Sequence, residues 1–96
     1  MDDAQRGALE AVERILNRGG EADAVLRAVV AALHDRFSYI AIRFADGRLV
    51  SAGRKADGTE VPVQFQERTV AELELSTDDP VFARRVATLI SPYCNP

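Results

Sequence analysis

Tryptophan is missing from this sequence, and cysteine, histidine and methionine occur once each. A lone cysteine, Cys94, excludes an internal disulfide framework and suits a reducing compartment. A lone histidine, His34, has no second His and no nearby Cys, and so falls short of the three or four ligands a zinc-type site needs. Long apolar runs are missing too. The longest, Ala28 to Leu33, is six residues, against about 20 for a membrane span. The opening Met1-Asp2-Asp3 is acidic and no apolar stretch follows it, so no secretory leader is expected and the expected location is cytoplasmic. There is no excess of basic charge: 12 Lys and Arg stand against 15 Asp and Glu, a net of −3. No long-range field therefore draws the chain to nucleic acid or to an anionic membrane. Internal repeats, low-complexity stretches and linkers are absent as well.

What is present is ordinary globular composition. Ninety-six residues, 47% hydrophobic and 28% charged, imply a single domain over residues 1–96 with one modest core. Asp2 to Arg18 carries Ala4, Ala8, Leu9, Ala11, Val12, Ile15 and Leu16 on one arc of a helix, with Arg6, Glu10, Glu13 and Arg14 opposite. Gly19-Gly20 ends it. Glu21 to Phe37 repeats the pattern through Ala22, Val25, Leu26, Val29, Val30, Leu33 and Phe37. The period then drops to two. Tyr39 to Ala45 places Ile40, Ile42 and Phe44 on one face, and Asp46-Gly47 signals a two-residue hairpin in a type I′ turn. Arg48 to Arg54 returns as a second strand. After a polar loop, Lys55 to Glu60, a third strand runs from Val61 to Gln66 with Val61, Val63 and Phe65 inward. Glu67-Arg68 turns the chain into Thr69 to Ser76, with Ala71, Leu73 and Leu75 inward. Thr77-Asp78-Asp79-Pro80 starts the last helix with an Asp cap and a Pro at the first helical position. Phe82, Val86, Leu89, Ile90 and Tyr93 line its apolar side, and Ser91-Pro92 is expected to end it. The fold class is α+β, in the order ααββββα.

Three stretches of this pattern resemble a GAF domain: VLRAVVAALHDRFSYIAIRF (Val25 to Phe44), VPVQFQERTVAELEL (Val61 to Leu75) and the helix from Asp79 to Ile90. PAS-like and roadblock-like domains share similar element orders. The resemblance implies an antiparallel four-stranded sheet in the order 2-1-4-3 with three helices packed on one face. It also exposes a departure, because the family's pocket-capping segment between the second strand and the closing hairpin is replaced here by Lys55 to Glu60. That loop must cross three strand spacings, about 14 Å, and six residues span roughly 20 Å. The crossing is possible, with nothing left for a lid.

The outward face of the sheet reads Tyr39, Arg43, Gln64, Gln66, Val70, Glu72 and Glu74. That is a solvated face rather than the mostly apolar lining of an enclosed pocket. Glu72 and Glu74, about 7 Å apart on one strand face, have a spacing that acid–base chemistry uses, yet solvent-facing glutamates balanced by Arg43 are the simpler reading. Reductases of free methionine sulfoxide within the GAF family use cysteines from the missing pocket loops. Cys94 lies elsewhere, without a resolving partner or basic neighbour, and reads as an inert thiol whose change to Ser leaves stability nearly unchanged. Gly19-Gly20-Glu21 is no phosphate loop, and Arg54-Lys55 is too little for nucleic-acid recognition.

The functional expectation is a noncatalytic regulatory or interaction module with no cofactor, a homodimer, possible signalling partners and no ligand pocket. The alternatives are a small-molecule sensor using the exposed sheet face (Tyr39, Arg43, Gln64, Glu72, Glu74) and a degenerate GAF-type methionine sulfoxide reductase. The dimer expectation rests on the first helix. Its apolar arc of about 160° exceeds the roughly 100° that one core contact demands, and Ala4, Ala8, Ala11 and Ile15 would let two such helices meet.

Overall fold

A pair of helices, four strands and a closing helix follow one another in the computed structural model of the chain, which describes residues 2–94. They are α1 (Asp3–Arg18), α2 (Ala22–His34), β1 (Tyr39–Phe44), β2 (Leu49–Gly53), β3 (Thr59–Phe65), β4 (Arg68–Leu75) and α3 (Pro80–Cys94). The strands form one antiparallel sheet in the order β2-β1-β4-β3. Residues 54–58 alone carry the chain from one sheet edge to the other.

The two periodicities explain the layering. Ile40, Ile42, Val61, Val63, Leu73 and Leu75 point to one face and are buried against Leu26, Val29 and Leu33 of α2 and Phe82, Val86 and Ile90 of α3. Each such side chain contributes about 1.5–3 kcal/mol when fully buried. α1 lies across α2 and α3 as a further layer. Its capping box reads directly from Asp2-x-x-Gln5: the Asp2 carboxylate accepts the Gln5 N–H at 2.8 Å, and Gln5 Oε1 accepts the Asp2 N–H at 3.2 Å. Gln5 Nε2 also donates to Asp79 Oδ2 at 3.1 Å. Asp79 caps α3, accepting from the N–H groups of Val81 and Phe82 at 3.1 Å each. Those donors, the backbone of Phe82 first, hold the Asp79 carboxyl below the ordinary aspartate value. Two helix N-termini are thus tied together through one glutamine.

Several local expectations change. At Asp46-Gly47 only Gly47 has positive φ, at 95°. Its N–H donates to the Phe44 carbonyl at 3.0 Å, while the Phe44 N–H donates to the Arg48 carbonyl at 2.8 Å. The connection is therefore a three-residue loop and not a type I′ turn. Paired positive φ occurs instead at Gln66 (52°) and Glu67 (67°), inside the Phe65–Arg68 pair. A type I′ turn here strains two non-glycine residues, each by about 1–2 kcal/mol. Replacing Gln66-Glu67 with Asn-Gly is expected to raise stability by about 1 kcal/mol. Urea unfolding of the double variant checks this, and an unchanged midpoint would contradict it.

Val70, expected outward, is buried. The pairing slips between Val63–Ala71 and Gln64–Thr69, so Val70 is the extra residue of a bulge and turns towards the core beside Ala71. α2 stops at His34, short of Phe37, although the Phe37 N–H still reaches the Leu33 carbonyl at 2.9 Å and its ring lies 5.5 Å from that of Phe82. α3 does not end at Ser91-Pro92 but runs through it to Cys94. Pro92 cannot donate to the Thr88 carbonyl, and Ser91 Oγ donates to it instead at 2.9 Å. Tyr93 and Cys94 then pack on the core and hold the last turn in place.

Candidate functional site: the outer sheet face and its margins

The sheet face away from the helices is built by alternate residues of all four strands. Arg43 opposes Glu72 on β4 and Leu49 on β2, and Ala41 opposes Glu74 and Ser51. Glu60 and Pro62 of β3 oppose Glu74 and Glu72. Arg43 and Gln64 are exposed and Glu72 is partly so, as expected.

Tyr39 and Glu74 depart from the exposed set, at 7% and 9% relative exposure. The cause is the crossing loop. Lys55 reaches back over this end of the face, its Nζ 2.6 Å from Glu74 Oε2 and 5.9 Å from the centre of the Tyr39 ring. Arg43 approaches Glu74 Oε1 at 3.9 Å, too far to bond, so that buried oxygen has no hydrogen-bond partner among the described residues. The bond to Glu74 holds the Lys55 ammonium above the ordinary lysine value. Glu72 and Glu74 are not brought together as an acid–base pair, because Glu74 is committed to Lys55.

The other singled-out residues fall away from this face. His34 Nδ1 lies 3.2 Å from the Phe37 carbonyl at the end of α2. Among the described residues no three His, Cys, Asp or Glu side chains converge on a metal position, and no helix is long and apolar enough to cross a membrane. Cys94 is 2% exposed and part of the core, where burial pushes its thiol up to about 11. A raised value keeps the thiol neutral at physiological pH and suppresses the thiolate that reacts. Labelling by a disulfide probe at pH 7 is expected to be slower than for a free cysteine until the protein unfolds, and rapid native labelling would contradict the burial. This also corrects the expected harmlessness of Cys94→Ser, which places a hydroxyl in an apolar site at about 1–3 kcal/mol.

The dimer residues separate as well. Ala8 is wholly buried in the chain's own core, whereas Ala4 is exposed and Ala11 and Ile15 are half-buried. The two helices beneath α1 cover Ala8, Leu9 and Val12 of its arc and leave the rest incompletely covered. No protein-family model, curated protein or solved structure matches the chain.

Two open hollows flank the sheet where it meets the helices. One lies between β3 and α3, lined by Pro62, Gln64, Arg84, Ala87 and Thr88. A larger groove, about 510 Å³, runs between α2 and the free edge of β2. Periodicity could not reveal it, since it arises from the meeting of two elements that each look regular alone.

Proposed function

We propose that the chain is a regulatory or interaction module, a shortened GAF-like domain that offers surfaces to other proteins instead of enclosing a ligand or performing catalysis. One observation supports this above others. Where a lid would stand there is only a short connection, residues 54–58, tied to the sheet by the Lys55–Glu74 bond. The loop's path is close enough that a Cβ on Gly58 would lie 2.1 Å from the Leu75 carbonyl oxygen. A cytoplasmic setting suits the unpaired, buried thiol of Cys94.

Thermal melting in the presence of nucleotides, cyclic nucleotides, haem or tetrapyrroles tests the reading. Ligands that bind only the native state raise the melting temperature, and none of these is expected to do so. A reproducible rise of several degrees with any one would favour the small-molecule sensor.

The homodimer narrows to the strip of α1 formed by Ala4, Ala11 and Ile15, which are apolar yet incompletely covered. Sedimentation at tens of micromolar is expected to give a dimer for wild type and a folded monomer for Ala11→Glu. A monomeric wild type ends this part of the proposal without touching the rest.

A further inference from the structure

We propose that the groove between α2 and the free edge of β2 binds an extended acidic peptide segment of another protein by adding it to the sheet as a fifth strand. The inference rests on the reading of the chain as an interaction module, and it is independent of the α1 dimer.

The backbone makes the first part of the case. The Phe44 N–H donates to the Arg48 carbonyl at 2.8 Å. In an antiparallel ladder this direction alternates, so Val50 and Ala52 turn their polar groups to β1, while Leu49 and Ser51 turn theirs to the open side. An incoming strand finds donors and acceptors in pairs about 6.8 Å apart. Side chains make the second part. Val30 and Ala31 of α2 with Val50 and Ala52 of β2 line the groove, and Leu49 at its rim is 52% exposed. A strand lying there would set every other side chain against the apolar part of a mixed lining that also holds Arg27 and Ser51, the usual division of labour in strand addition.

Charge selects the occupant. Four cations border the strand: Arg27 on α2, Arg48 before it, and Arg54 and Lys55 after it. Arg48 is held by Asp46 at 2.9 Å and Asp23 at 3.6 Å, and Lys55 by Glu74. Arg27, which lines the groove, and Arg54 have no carboxylate partner among the described residues. Two unpaired arginines, Arg27 and Arg54, on the border of a chain of net charge −3 are a local feature suited to carboxylates. The same border opposes pairing of two copies edge to edge, since like cations would face one another. A second copy is thereby disfavoured and an acidic partner favoured.

A random dodecapeptide display library selected on the immobilised full chain supplies the probe. Enriched peptides are expected to alternate apolar residues and to carry Asp or Glu. Ser51→Pro removes an N–H that faces only the open side, and is expected to weaken a synthetic copy of the enriched peptide about tenfold. Arg27→Glu should weaken it too, with recovery when the peptide's acids become lysines. Methylating the peptide's amide nitrogens one at a time should abolish binding at alternate positions only, a readout that holds even where Ser51→Pro fails to fold. Peptides that bind Ser51→Pro like wild type and show no alternation would overturn the edge proposal and leave the broader module reading standing. A selection that enriches nothing also overturns it, and the module reading then stands or falls on the melting experiment.

Discussion

Ala8→Glu is expected to leave no cooperatively folded protein at 25 °C, whereas Ala11→Glu, on the same helix, remains folded. Both positions lie on the apolar arc of α1, and a sequence pattern treats them alike. Ala8, however, is 0% exposed and belongs to the core that α1 shares with the layer beneath, while Ala11 is partly open to solvent. An unpaired carboxylate at Ala8 would cost several kcal/mol after relaxation, and the added side-chain volume about 1–3 kcal/mol more. Domains have only about 5–15 kcal/mol in total, and one of this size has little to spare. Circular dichroism with urea titration distinguishes the two variants. A sharp Ala8→Glu transition near the wild-type midpoint would mean that α1 is not docked as described.

The contrast marks where the sequence was legible. Two periodicities, 3.6 and 2, sufficed for every helix and strand and for the inward set Ile40, Ile42, Val61, Val63, Leu73 and Leu75, because burial on one side is what creates those patterns. Strand order came from a resemblance, and the short crossing loop was compatible with it. Face assignments failed where a third element intervened. Tyr39 and Glu74 alternate outward correctly, yet Lys55 reaches over them from a different part of the chain. The 160° arc of α1 could not be divided by pattern alone, since one arc does not say which of its residues the same chain covers and which stay open to a twin. The turn at Gln66-Glu67 was read one residue late, at Glu67-Arg68, because neither of its residues favours positive φ, and Pro92 concealed the last turn of a helix that Ser91 repairs. The β2 groove was the least legible feature, being a meeting of Arg27, Val30 and Ala31 with a strand edge some 20 residues on.

Gly53→Ala is expected to cost about 3 kcal/mol, far more than the change of another positive-φ glycine. Gly53 has φ of 86°, closes β2 opposite Tyr39 and leads into the crossing loop. A Cβ there would lie 2.0 Å from the Ser38 carbonyl oxygen and 2.9 Å from His34 Cε1. The imidazole can swing away, but the carbonyl is main chain at the start of β1 and cannot yield without moving the strand. Gly47 separates the two causes. Its φ is 95° and nothing lies within 4 Å of its Cβ position, so Gly47→Ala should cost only the left-handed strain, about 1 kcal/mol. If Gly53→Ala also lifts the loop, Lys55 loses its place on Tyr39 and Glu74. Amide exchange should then rise across residues 54–58 and not in the 44–48 hairpin. Urea unfolding of the two variants, with exchange measured on each, decides the matter. Equal losses at Gly53 and Gly47 would leave backbone conformation as the whole effect and remove the argument that the Ser38 carbonyl excludes a side chain at Gly53.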